Sequence, residues 1–349
     1  MNKDLFINQI NKNQTLLSQL NQNPNWSKNY KLLEDLINYD AYFNSLITLC
    51  NFISKQPITF KCDDKRFENI VNESIQNINF QDFVNLFLNY LSYGYVVFEV
   101  IYKKSGADDI VTVSELSFID YNFSILFQED DDGSLYSIRV GNTELNYLKF
   151  QNASFNSKKN KYYGNSILTK DIANTIMYAR DALLNLNIAN YRFGNPLFVT
   201  KTDSFKNKNR LKEAFKNVKD GLTSIFISTD EEVTTVQSNH NEDNFIKSIE
   251  LYDKKIAKSL FIGDMLYGGS NSKGSYNQGE IQLTMLYANL DSIIKDIEEF
   301  WIEIIKKLYL INISPDLEKF HGLHADFSIV KFSDTDSLNI QSIEKDLVV

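Results

Sequence analysis

The chain has 349 residues, 43% hydrophobic and 23% charged, with a formal net charge of −9. Such a composition can bury a core and excludes a chain disordered throughout. It also excludes a simple duplex-coating protein, because non-specific DNA affinity comes from Lys and Arg neutralising phosphates; a neutral or acidic wall past which DNA slides is still allowed.

Two cysteines, Cys50 and Cys62, make neither a disulfide framework nor a metal cluster, and a reducing compartment is expected. No window supplies the roughly 20 apolar residues that span a bilayer. The polar start Met1-Asn2-Lys3-Asp4 lacks a signal-peptide core, so a soluble intracellular protein without membrane contact is expected. With only 4 Pro and 13 Gly, each of these residues punctuates the chain.

Residues 1–27, rich in Asn and Gln, predict an arm that folds on a partner. Apolar residues recurring at three and four from Leu32 to Phe52 predict one helix over 29–55, stopped by Pro57. Ile58-Thr59-Phe60 reads as a strand. A helix pair is expected from Phe67 to Tyr93, with a start at Phe80-Gln81-Asp82 and a stop at Gly94. Tyr95 to Tyr102 then reads as a β-branched and aromatic strand, followed by strands near 110–119 and 122–128. Asp132-Gly133 turns the chain into Leu135–Val140, a hairpin signal.

From Asn165 an apolar pattern runs unbroken to Gly194 and Pro196, a helix roughly 40 Å long. A small strand-helix-strand module is expected next: Leu197–Thr200, a basic helix near Lys208–Lys219, then Ser224–Ile227 and Glu232–Gln237. A second long helix spans Glu242 to about Leu266. The glycine-rich loop Gly268–Gly279 follows, then a third helix from Glu280 to about Ile311, closed by Pro315. A last extended segment covers Phe327–Phe332. Long helices need partners along their length, and a ring of copies would supply them.

Catalytic patterns are weak. The acidic run Glu129–Asp132 fails the calcium-loop spacing, since Gly133 at the sixth position puts Gln128 first and Arg139 last. Gly269 and Gly274 have phosphate-loop separation, but Lys273 precedes the second Gly instead of following it, and the loop follows a helix. His321, His324 and Asp326 form an His-x-x-His-x-Asp cluster that could ligate a metal, which is the basis of an alternative reading as a metal-dependent nuclease or phosphodiesterase. Surface or interface histidines are the plainer reading. Lys201, Lys206, Lys208, Arg210, Lys212, Lys216 and Lys219 stand against Asp203 and Glu213. That excess suits either a solvated helix face or contact with DNA or an acidic partner. The loop with its four glycines reads either as a flexible connector or as a channel element.

Four segments in order carry a resemblance. RFENIVNESIQNINFQDFVNLFLNYLSYGYVVFEVIYKK (Arg66 to Lys104), LLEDLINYDAYFNSLITLCNFI (Leu32 to Ile53), YYGNSILTKDIANTIMYARDALLNLNIANYRFGNP (Tyr162 to Pro196) and IAKSLFIGDMLYGGSNSKGS (Ile256 to Ser275) are similar to portal proteins of Mu-like tailed phages. The resemblance covers about 30 to 311. It implies an α+β, mainly helical portal fold and no enzyme activity, cofactor or bound metal. The wing would be 1–163, stem helix 1 164–194, the clip 195–240, stem helix 2 241–267 and the tunnel loop 268–279. A long wing-side helix over 280–312 and a wing return with a reduced crown over 313–349 would complete it. A head-tail adaptor is a poorer match, because three long helices and an α/β wing exceed one. The chain is shorter than Mu-like portals usually are, which suits a reduced phage, a domesticated prophage or a gene-transfer particle.

The implied assembly is a ring, a dodecamer by resemblance, at one capsid vertex of a virion put together in the bacterial cytoplasm. Its expected partners are double-stranded DNA in transit, the terminase large subunit, a head-tail adaptor and the major capsid protein. Asn271, Ser272, Lys273, Ser275 and Tyr276 would face the DNA channel. Lys206, Lys208, Arg210, Lys212, Lys216 and Lys219 would serve docking at the clip.

Overall fold

The computed structural model describes residues 30–105, 110–156, 162–193, 197–201, 209, 232–236, 242–262 and 276–332. The chain divides into two compact units, Met1–Ser18 with Thr175–Asp253, and Gln19–Asn174 with Lys254–Val349. The expected arm over 1–27 lies outside the described residues.

The larger unit opens with α1 (Tyr30–Ile37) and α2 (Asp40–Ile53), where the periodicity predicts a single helix. Tyr39 leaves the helical region at φ −76°, ψ 128°, and Asp40 begins a new first turn, where a carboxylate meets the positive helix end. After β1 (Ile58–Lys61), α3 (Lys65–Gln76) starts two residues before the expected Phe67, because Asp64 caps it. The Asp64 carboxylate accepts from the N–H groups of Arg66 and Phe67 at 2.8 and 3.1 Å. Asn79 caps α4 (Phe80–Phe87) at the expected start. A short α5 (Asn89–Tyr93) then ends at Gly94, in the left-handed region at φ +89° with its N–H on Tyr90 O.

Strand β2 (Tyr95–Ser105) is the centre of an antiparallel sheet, flanked by β3 (Ile110–Phe118) and β7 (Phe150–Ser154). A second sheet holds β4 (Ile125–Glu129), β5 (Leu135–Val140) and β6 (Thr143–Asn146) in meander order. Its first turn is the one that Asp-Gly announced, with Gly133 at φ +79° and its N–H on Asp130 O. Strands β6 and β7 are not legible in the sequence, since each is short and half polar. A single-turn helix over Tyr147–Lys149 joins them.

The unit's long helix, α8 (Tyr276–Asn312), lays Phe300 and Trp301 against Phe83, Phe87 and Phe98. All five rings are buried. Removing one of them should cost about 3–5 kcal/mol. A short α9 (Glu318–His321) follows, and β10 (Asp326–Ile329) then returns to pair antiparallel with β1, Ile58 facing Ile329. The final strand was expected over Phe327–Phe332. It stops at Ile329, and the Phe332 N–H is held by the Asp291 carboxylate at 2.7 Å instead of by a strand.

Strand β3 is an edge strand, and at Val111 and Val113 helix side chains occupy its outer hydrogen-bonding positions. Asn312 accepts from Val111 N–H and donates to Val111 O, both at 2.8 Å. Ser74 Oγ accepts from Val113 N–H at 3.0 Å, and Asn77 donates to Val113 O at 2.9 Å. These amides and the hydroxyl replace the strand that is missing there.

On α8, Lys307 is almost fully buried and donates to Phe150 O and to Gln151 Oε1, the latter at 2.6 Å. Its ammonium lies 4.3 Å from the Tyr147 ring centre. Burial pushes Lys307 down to about 7, against a smaller upward pull from the Glu303 carboxylate. Two backbone segments cross at Gly94 and Gly164. Phe155 N–H donates to Gly94 O and Asn165 N–H donates to Phe155 O, both at 2.7 Å. A Cβ on Gly164 would sit 2.2 Å from Gly94 O and 2.4 Å from Phe155 O, and Gly164 has φ +53°.

Two measurements check these readings. Gly164→Ala should lose about 3 kcal/mol or more in denaturant unfolding, since backbone overlap adds to left-handed strain. The second concerns pH. Unfolded Lys titrates near ~10.4, so between pH 7 and 9 the unfolded chain binds more protons and stability should rise with pH. Over that window the gain should be on the order of 1–3 kcal/mol, and Lys307→Met should remove it.

Candidate functional site

The smaller unit takes in 175–253, which holds the expected clip and part of each expected stem helix. Helix α6 (Lys170–Phe193) enters it at Thr175, and α7 (Glu242–Ser259) leaves it at Asp253. Near the entry α6 buries Ile176, Met177 and Ala179, but beyond them only Ala189 is buried among its described side chains. On α7, no residue from Asp243 to Asp253 is buried. Leu183 is 47% exposed and Leu251 65%, with Tyr178 and Ile246 also open. Tyr178 and Tyr252 place their ring centres 6.3 Å apart. Among the described residues, these two helices leave large apolar side chains open to solvent.

Of the strand-helix-strand module, β8 (Leu197–Lys201) and β9 (Glu232–Val236) are described, and they pair antiparallel with Leu197 opposite Val236. Lys206, Lys208, Arg210, Lys212, Lys216 and Lys219 lie outside the described residues, as does the strand expected over Ser224–Ile227.

The second long helix is shorter than its expected end at Leu266. It stops at Ser259 in a Schellman arrangement, with Ile262 N–H on Ala257 O and Phe261 N–H on Lys258 O. Phe261 takes the left-handed position, φ +67°, that glycine usually fills. Leu260 and Ile262 on either side of it are buried, which offsets that strain.

The glycine-rich loop is also shorter than expected. Helix α8 begins at Tyr276, so Tyr276 and Gly279 are helical and Tyr276 is not a loop residue. The signal was present: Ser275-Tyr276-Asn277-Gln278 has the S-x-x-Q pattern of a capping box, and one helical glycine costs only about 1 kcal/mol. Asn271, Ser272, Lys273 and Ser275 lie outside the described residues.

The described geometry gives the metal reading no support. His321 closes α9, His324 sits in a turn at φ +44° and Asp326 opens β10. The turn has structural work: Leu323 O accepts from Asp63 N–H, and Cys62 Sγ lies 3.6 Å from it. Among the described residues no group of three or more His, Cys, Asp or Glu could hold a metal.

With the geometry in place, comparison with known proteins decides the family. The family model described as the portal protein of Mu bacteriophage matches residues 30–326. The chain belongs to that family of portal proteins. The family is structural, and the nuclease alternative finds no support in it. No curated protein matches the sequence. Among solved structures, this portal protein is similar to a chain of the virion of a native gene transfer agent particle, with TM-score 0.60 and 10% identity. That match covers 90% of this chain and 87% of the other. A chain from the neck of the empty particle, computed with C6 symmetry, gives the same values. One from the neck of the native particle, computed with C12 symmetry, gives TM-score 0.57 and 11% identity over 88% and 83% of the two chains. At these identities the likeness establishes the fold.

No helix among the described residues is long and apolar enough to cross a membrane. The sequence predicts that these long helices need partners from other copies; periodicity marks their apolar residues without saying which of them stay exposed within the chain.

Proposed function

We propose that this portal protein closes into a ring, most simply of twelve copies, at one capsid vertex of a phage, prophage or gene-transfer particle. Double-stranded DNA passes through the ring without being read. The ring docks the packaging motor and afterwards a head-tail adaptor, and the major capsid protein surrounds it. The observation that carries this reading is the family match over 30–326, joined to the exposed leucines of α6 and α7. Cyclic symmetry buries such faces in closed contacts, with no open-ended growth.

Within this assembly the chain from 1 to 163 with the 280–312 helix forms the wing, and 313–349 returns to it. The helices on either side of 195–240 form the stem, and 195–240 forms the clip. Lys206, Lys208, Arg210, Lys212, Lys216 and Lys219 supply salt-sensitive docking to phosphates or acidic partners. Asn271, Ser272, Lys273 and Ser275 line the channel, where a single charge per copy, Lys273, lets DNA slide.

Light scattering and negative-stain imaging of the purified chain should show a ring with an opening wide enough for duplex DNA. Leu183→Asp with Leu251→Asp should reduce it to smaller species with helicity retained, since each leucine withdrawn from an interface forfeits about 1.5–3 kcal/mol. A wild-type chain that stays monomeric at micromolar concentration overturns the ring. A packaging assay separates the clip lysines from the glycine-rich loop. Charge reversal at Lys208, Lys212 and Lys216 should weaken motor docking at least roughly tenfold and flatten its salt dependence. Deleting Asn271–Ser275 should leave docking intact and impair DNA retention; normal retention removes the loop from the channel.

A further inference from the structure

The described surface of the larger unit contains a cleft of about 170 Å³ that no part of the portal reading uses. Three separate stretches build it: Tyr30 and Glu34 on α1, Tyr93 at the end of α5, and Phe118, Asp120 and Tyr121 where β3 ends. Tyr93 stacks on Tyr121 with ring centres 3.9 Å apart and 20° between planes. Tyr30 stacks on Tyr121 at 5.8 Å and lies 6.2 Å from Tyr93, so three phenol rings share one wall. Phe118 meets Tyr121 edge-on at 5.4 Å.

Two of the three hydroxyls are turned inward. Tyr121 donates to Tyr95 O at 2.6 Å, and Tyr30 shares a hydrogen bond with the Tyr95 hydroxyl at 3.2 Å. What these two residues present to the cleft is therefore ring surface. Glu34 and Asp120 stand at the rim, both exposed, and among the described residues neither has a Lys or Arg in ion-pair distance. Among the described residues the Asp120 carboxylate accepts from the backbone N–H of Asn122, at 2.7 Å.

Carboxylates alone would be a solvated face. Here they close a concave wall of aromatic rings, and ring quadrupole and carboxylate charge attract the same class of group, a cation with an extended hydrogen-bonding head. The Tyr93 phenol registers the field: burial first, then the charges of Glu34 and Asp120, push it up to about 12.

We propose that this cleft is a socket for an organic cation, a guanidinium or alkylammonium group, with the tyrosine rings as its floor and Glu34 and Asp120 as its counter-charges. Two sources carry that chemistry. One is Lys28, two residues before Tyr30 on the rim of the cleft. The other is a basic side chain of a different molecule. The socket is independent of whether the chain forms a ring.

The test is calorimetric titration of the full-length protein with acetyl-arginine amide, and with acetyl-citrulline amide as the uncharged probe of equal shape. The arginine probe should bind at millimolar concentration or tighter, and the citrulline probe at least roughly tenfold more weakly. Glu34→Gln with Asp120→Asn should lose about as much for arginine and nothing for citrulline, with the circular dichroism unchanged. Equal binding of both probes, or of arginine to both proteins, overturns the socket, as does no arginine binding at tens of millimolar. If the double variant misfolds, discrimination by the wild-type chain and its loss with added salt decide the matter. A Lys28→Ala chain identifies the source. Tighter probe binding there assigns the resident cation to Lys28, and unchanged binding assigns it to another molecule.

Discussion

The larger unit depends on one close passage of backbone past backbone. At Gly94 the end of α5 becomes the start of β2, and at Gly164 the chain turns away from β7 toward α6. Phe155 sits between them, donating to one segment and accepting from the other at 2.7 Å. No side chain fits in that space, so the two glycines are a steric requirement as much as a matter of φ. The consequence runs outward. Ile167 N–H reaches Leu91 O at 2.8 Å and Ser166 Oγ donates to Ser92 O, so the entry to α6 is pinned to the helix that precedes β2. A displacement at the crossing would shift the first turn of α6.

Around the crossing, the polar and apolar parts of the core divide the work. The rings of Phe83, Phe87, Phe98, Phe300 and Trp301 join α4, β2 and α8 without direction, since burial of area is indifferent to register. Direction comes from a few polar groups. Tyr90 donates to Asp296 at 2.7 Å, and burial raises both groups' pKa values. Lys307 fixes α8 against the start of β7. A buried ammonium is costly unless fully coordinated, and here two carbonyl-type oxygens and an aromatic face surround it. Aromatic packing gives the unit its cohesion and these contacts give it one register.

Much of this was readable from the chain. Gly94, Asp132-Gly133 and Pro57 each forced the break expected of them, because their effect is local. The long helices were legible through apolar period, and the four portal-like segments through their order. What escaped was tertiary. Strands β6 and β7 contain Asn, Gln, Ser and Glu, and are strands only because β5 and β2 present ladders to them. Phe261 ends α7 in a conformation its side chain disfavours, held by the burial of Leu260 and Ile262. Tyr276 had a helix-start pattern that the glycine count outweighed. The cleft draws on three stretches separated by dozens of residues, and no spacing rule could have assembled Tyr30, Tyr93 and Tyr121.

The sealed margin of β3 bears on how copies of this chain can meet. A sheet margin with open amides and carbonyls lets any passing strand zip on, and such joints are register-locked, strong and hard to reverse. Asn312, Ser74 and Asn77 act as stoppers along Val111 and Val113, so no further strand can be laddered onto that stretch of β3. Neighbours approaching there meet only side chains, whose contacts shift by small rotations without breaking a ladder. A subunit built this way can be a compliant joint, able to settle against a neighbour at slightly different angles while its own fold stays unchanged.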